Sequence, residues 1–303
     1  MISDILRIPV LGASAVALRL SPLPRRADFQ PDAWPRHPMA RAAGGPGEWW
    51  ELDTSALGLA DGTYEYDLCV ERPGQAPVVA ADPFAEEITR FGGYRGLLRL
   101  RSGHRWRVPF DWQGELPPGV RLPANHEMVI YELPMRWVDT SPDAAQRQVG
   151  LGTFDKAVFE RLAYVQSLGV NAVELLPVQD SPDTLNWGYG TRFFFAPDVD
   201  MGEPNDLRLF VKECHRRGIR VLLDVVMNHS RGCLLESLAA EMFYLSGGGE
   251  EPAPTGSRAT TGAAGSSVTA SRVTALSTRE TSTTGWRSSG SRSSTSTASA
   301  STS

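Results

Sequence analysis

At 303 residues, with 41% hydrophobic and 21% charged side chains, the chain can bury a sizeable core and has the length of roughly two domains. A formal net charge of -5 leaves no basic footprint for a phosphate backbone, so nucleic acid is excluded as an expected partner. No apolar run approaches the roughly 20 residues that a membrane span needs, so no membrane association is expected.

Period-two alternation, the mark of half-buried strands, runs through the front of the chain. Val16, Leu18 and Leu20 alternate with small or charged residues, as do Tyr64, Tyr66, Leu68 and Val70, and then Trp106, Val108, Phe110 and Trp112. Turn signals at Pro73-Gly74 and Phe91-Gly92-Gly93 separate these runs, which makes an antiparallel β-sandwich the expected architecture of residues 1–120. The apolar stretch from Ile8 to Leu18 reads as a strand of this domain: Asp4 offsets Arg7 ahead of it, and no clear cleavage site follows. The cytoplasm is therefore the expected location. Cys69, Cys214 and Cys233 are far apart, without a metal-ligand spacing, and read as buried or incidental thiols.

After the proline-rich connector Leu116 to Pro123 the period changes. Met128 to Leu133 is a short apolar run. Phe154, Val158, Leu162 and Val165 then recur at helical spacing until Gly169 stops the helix. Ala172 to Val178 is a second apolar run; Leu207, Phe210 and Val211 mark another helix, ended by Gly218; Ile219 to Met227 is a third. Strand, helix, strand, helix, strand over residues 121–250 predicts a parallel sheet with right-handed crossovers, whose functional ends are the C-terminal ends of the strands. From about Pro252 the chain is roughly half Ser and Thr, too poor in apolar groups to order itself, so residues 251–303 are expected to be a low-complexity tail.

The third run ends in Asp224-Val225-Val226-Met227-Asn228-His229. Polar groups where a buried strand emerges are poorly explained by packing, because an uncompensated Asp or His there is costly to desolvate. A lone D-x-x-x-N-H is as well read as a loop-capping Asp with a surface His. Other stretches accompany it, however: Trp187-Gly188-Tyr189 and Phe195-Ala196-Pro197 after the second run, Gly169 to Val178 around it, and Val129-Ile130-Tyr131-Glu132-Leu133 in the first. In this order, over residues 126–232, the set resembles the first part of glycoside hydrolase family 13, the α-amylase superfamily.

The resemblance implies an α-glucan polysaccharide or oligosaccharide as partner and a retaining double displacement on a (β/α)8 TIM barrel, of which about three strands are present. It implies that Tyr189 stacks on the sugar at the cleavage subsite, that His229 hydrogen-bonds sugar hydroxyls, and that Asp224 is a carboxylate ordering its neighbours. Trp187 belongs to the same substrate-binding group. Asn228 matches a residue that binds calcium in some members; no other cofactor is implied. Pro134 stands where the family commonly has His. Ala81-Asp82-Pro83-Phe84-Ala85 is similar to a stretch of the immunoglobulin-like module preceding the barrel in branching and debranching enzymes, which makes residues 1–120 a candidate carbohydrate-binding module. Trp49 and Trp50 could form a sugar-stacking surface, but alternation sends neighbours to opposite faces, so at least one belongs to the core.

Retaining glycosidases need a nucleophile and an acid/base carboxyl about 5–5.5 Å apart. The family's nucleophilic Asp lies in a G-F-R-x-D pattern after the fourth strand and its acid Glu after the fifth; neither motif occurs here. The codons permitted by Thr295 to Ser303, read one nucleotide earlier, allow His-Val-Asp-Gly-Phe-Arg-Ile-Asp-Glu, which contains the absent pattern. A frameshift near Gly249 to Arg258 is therefore expected, with a genuine Ser/Thr-rich linker as the alternative. The expected function is that of a glycogen or starch branching or debranching enzyme by ancestry, C-terminally truncated and inactive in this form. The alternatives are a non-catalytic glycan-binding fragment and a pseudogene product.

Overall fold

The computed structural model describes residues 2–24, 34–43, 48–89, 94–139, 152–182, 187–226, 234, 235, 238 and 239. The front half is two antiparallel sheets. One contains β1 (Ile5–Pro9), β4 (Ala40–Arg41) and β5 (Trp49–Asp53) in the order β1-β5-β4. The other is built on β2 (Ala15–Pro22), β3 (Arg36–Pro38), β6 (Gly62–Glu71), β9 (Arg95–Arg101) and β10 (His104–Arg105) in the order β10-β9-β6-β2-β3, with β7 (Val78–Ala80) on β6 and β8 (Ile88–Thr89) on β9. Val16 faces Val70 and Leu18 faces Leu68 across the β2/β6 pair. Together with Leu98 and Leu100 they pack against Leu6, Ile8 and Trp50 of the smaller sheet. Trp50 is buried and its indole N–H donates to the Val10 carbonyl at 3.2 Å, whereas Trp49 is half-buried and its ring lies 6.5 Å from that of Phe84.

Two features depart from simple alternation. Strand β6 is buried on both faces, including Glu65 and Asp67. Asp67 accepts from Arg19 Nε at 2.6 Å and Nη2 at 2.8 Å, and from Arg95 Nε at 3.2 Å; both guanidiniums lie over the Trp34 ring. The outer face thus carries a roofed ion cluster rather than a solvated polar stripe. The run Trp106 to Trp112 is not a strand: pairing stops at Arg105. Pro109 can donate no ladder hydrogen bond. Instead the segment lies along a helix of the second half, with the Pro109 carbonyl accepting from Asn205 and the Asp111 carbonyl from Lys212.

The second half places β11 (Ile130–Leu133), β12 (Ala172–Leu175) and β15 (Arg220–Leu223) in one parallel sheet, β12 in the middle. The first crossover opens as α1 (Phe154–Lys156), widens into a π turn over Ala157–Arg161 and resumes as α2 (Leu162–Ser167). The second contains the hairpin β13 (Gln179–Asp180) and β14 (Phe193–Pro197), then α3 (Pro204–Arg216). Gly169 and Gly218 end the two helical stretches at φ +78° and +73°, where a side chain is strained. Leu133, Val173 and Leu175 pack with Phe154, Leu162, Phe210 and Cys214 into a second core. Burial pushes the Cys214 thiol well above its ordinary pKa, so it stays a neutral core group.

The halves share side chains. Phe193, Ala196 and Leu238 belong to the sandwich core, the Phe195 ring lies 5.6 Å from Phe84, and the Arg192 guanidinium sits 3.1 Å from the Tyr94 ring centroid. Asn228, His229 and the expected tail of residues 251–303 lie outside the described residues.

Candidate functional site

In a parallel sheet covered on one face, alternate residues must point to the other face. Tyr131, Leu133, Val173, Leu175 and Val221 pack toward the helices. Glu132 and Glu174, which face each other across β11 and β12, therefore point to the opposite, concave face, as does Asp224 one step past β15. Asp224 extends the pairing beyond the strand, its N–H donating to the Leu175 carbonyl at 3.0 Å.

Tyr189 closes over this face. Its hydroxyl donates to Asp224 Oδ2 at 2.7 Å. That hydrogen bond, then partial burial, then the negative charges of Asp224, Glu132 and Glu174, push the phenol up to about 12. Tyr189 therefore stays a neutral donor throughout the physiological range, with its hydroxyl end fixed on the carboxylate. Gly188 brings the ring there: it has φ +86°, and a Cβ on it would overlap the Pro177 carbonyl oxygen at the end of the strand. Trp187, just before it, has φ +50°, an uncommon backbone for a bulky residue. Its indole is 50% exposed and lies edge-to-face with Trp137, 46% exposed, at 5.2 Å and 86°.

Buried ion pairs tie the neighbouring segments together. Arg136 pairs with Asp198, both nearly inaccessible, and approaches Asp200 at 3.8 Å. Asp198 also accepts from the Ser181 N–H at 3.2 Å, and Arg192 Nε donates to Asp180 at 2.9 Å. The segment after β11 is thereby tied to the segment after β14, and Trp137 is held against Trp187.

Of the residues singled out from the sequence, Tyr189 and Asp224 meet directly, Trp187 stands beside them, and Asn228 and His229 lie outside the described residues. Among the described residues no group of three or more His, Cys, Asp or Glu side chains is placed to hold a metal ion; Asn228, the calcium candidate, lies outside them. Glu132, Glu174, Arg136, Trp137 and Asp198 were not singled out. Alternation could have flagged the two glutamates, since Tyr131 and Leu133 on either side of Glu132 are apolar. Nothing local marks Arg136 or Trp137, whose partners are 62 and 50 residues away.

Residues 131–234 match the family model described as the α-amylase catalytic domain. This stretch belongs to the α-amylase family. The chloroplastic isoamylase SU1 of Zea mays is 31% identical over 253 residues, covering 72% of this chain and 31% of that protein. The 1,4-α-glucan branching enzyme GlgB of Pseudomonas putida is 34% identical over 198 residues, covering 64% of this chain and 25% of its own length. Among solved structures, a Salmonella typhimurium protein described as an α-amylase superposes with a TM-score of 0.58 at 25% identity, over 80% of this chain and 35% of that one. A pullulanase from Bacillus acidopullulyticus shares the fold with a TM-score of 0.55 at 19% identity, over 78% and 30%. The chain thus spans about a quarter to a third of the curated relatives it matches.

Proposed function

We propose that the chain binds an α-glucan on the face at the C-terminal strand ends, with one glucose ring stacked on Tyr189, which Asp224 holds in place, and its hydroxyls bonded, beyond the described residues, by His229. The observation that carries this is the Tyr189–Asp224 hydrogen bond at the strand ends of an α-amylase-family segment. The bond fixes a phenol ring over a face lined with hydrogen-bond acceptors. In the same reading the front sandwich, residues 1–120, is an immunoglobulin-like module docked on residues 121–250, and the natural substrate is glycogen or starch. Relatives named as isoamylase and as branching enzyme support either action on branch points.

The chain itself does not turn the glucan over. A retaining mechanism needs two carboxyl groups, one attacking the anomeric carbon and one protonating the leaving oxygen. The G-F-R-x-D and later Glu motifs that carry them in the family are not within these 303 residues. Of the inner-face carboxylates that are present, Asp224 is committed to Tyr189, and the resemblance gives Glu132 and Glu174 neither role. Isothermal titration with maltoheptaose tests the binding reading: the parent chain binds, and Tyr189→Ala binds about tenfold more weakly, the scale of losing one well-placed aromatic contact. Equal affinity of the two chains overturns it.

A further inference from the structure

We propose that Trp137 and Trp187 form an outer subsite that stacks a second glucose unit of the same α-glucan; this rests on the binding reading above. Single exposed apolar side chains are ordinary on protein surfaces. Here two indoles, each about half exposed, touch at 5.2 Å in an edge-to-face corner, and neither belongs to a core.

Fold stability does not account for the pair. Trp187 occupies the left-handed region at φ +50°, where glycine is the unstrained choice, and half its surface is left in water. Backbone strain and exposed aromatic surface both weigh against the fold, and such strain collects where a ligand is held. Support is built underneath: the buried Arg136–Asp198 pair lies next to Trp137 in the chain, and the Trp137 N–H is anchored to the Pro134 carbonyl at 2.9 Å.

Position and charge select the occupant. Trp187 is two residues from Tyr189, so their Cα atoms are at most about 7 Å apart, within reach of neighbouring units of one oligosaccharide. The carboxylates Glu132, Glu174 and Asp224 on the adjoining face repel anions, which disfavours a phosphorylated sugar or a nucleotide. Indole offers an apolar face for the C–H groups of a pyranose and an N–H donor for a hydroxyl at its wet edge. A neutral glucan chain fits both.

The test compares maltoheptaose with maltose by isothermal titration on the full chain. In Trp137→Ala and Trp187→Gly the ratio of maltoheptaose to maltose affinity falls about tenfold, and Trp137→Phe, which keeps an aromatic face, recovers most of it. In Tyr189→Ala both affinities fall and the ratio holds. Because glycine relieves the positive φ, Trp187→Gly melts no lower than the parent. A ratio unchanged in both Trp variants overturns the subsite while leaving the Tyr189 reading in place. A lower melting temperature in Trp187→Gly with both sugars lost in parallel marks a purely structural role and overturns it too. A parent chain that binds neither sugar overturns the binding reading and this one with it.

Discussion

Gly188→Ala should uncouple Tyr189 from Asp224. The new Cβ would overlap the Pro177 carbonyl oxygen, a backbone atom two residues past β12 rather than the end of a flexible side chain. A non-glycine residue at φ +86° costs about 1–2 kcal/mol, and forcing an extra carbon into a packed contact about 1–3 kcal/mol, together about 2–5 kcal/mol. Against this stands one hydrogen bond to a charged acceptor, about 1.5–3 kcal/mol when fully buried. Tyr189 is only partly buried, so the lower end of that range applies. The strain exceeds the bond, and the loop lifts off. The phenol then returns from about 12 toward its ordinary value near 10. Tyrosinate absorbance reads this directly, as the difference between each chain and its own Tyr189→Phe counterpart, which removes the other tyrosines. A Gly188→Ala chain whose Tyr189 still titrates near 12 would refute the reasoning.

The remaining predictions concern the sandwich, alkaline pH and the tail. Asp67→Ala leaves Arg19 and Arg95 buried without their shared carboxylate and should cost about 3–5 kcal/mol, read as a lower urea midpoint; a loss under 1 kcal/mol would show that Trp34 and solvent compensate. Gly96→Ala places a Cβ in the Tyr66 ring and should destabilise the chain by at least about 1–3 kcal/mol in the same assay, with no loss if the ring repacks freely. Burial, and then the neighbouring Asp82, raise Tyr66 well above 10. The folded state therefore keeps a proton that the unfolded chain releases: the contribution is complete below pH 10 and lost as pH climbs above it. The melting temperature should fall above pH 10, and a flat profile there would contradict the assignment. Resequencing the gene from the codon for Tyr244 past that for Ser303 should reveal one inserted or deleted base that restores Gly-Phe-Arg-x-Asp; a confirmed frame favours the Ser/Thr-rich linker.

Much of the second half was legible because its signals are local. Helical spacing with a glycine stop at Gly169 and Gly218, and three short apolar runs, translate directly into crossover helices and parallel strands. Tyr189 and Asp224 could be singled out because each sits in a short motif at a strand end. The sandwich was harder. Trp106 to Trp112 alternates like a strand, but Pro109 and the nearby α3 leave it lying along a helix. β6 alternates like a half-buried strand, yet Arg19, Arg95 and Trp34 from elsewhere in the chain cover its polar face. The same limit hid Trp137 and Arg136, whose roles exist only once distant segments meet.

The central claim, that this chain holds an α-glucan at Tyr189 without cleaving it, is tested most directly by electrophoresis of the 303-residue protein through gels with and without glycogen, with reducing ends assayed on the same samples. The account predicts slower migration in glycogen, relief of that retardation by Tyr189→Ala, and no new reducing ends. Unchanged mobility of the parent chain, or sugar released in step with its concentration, would contradict it.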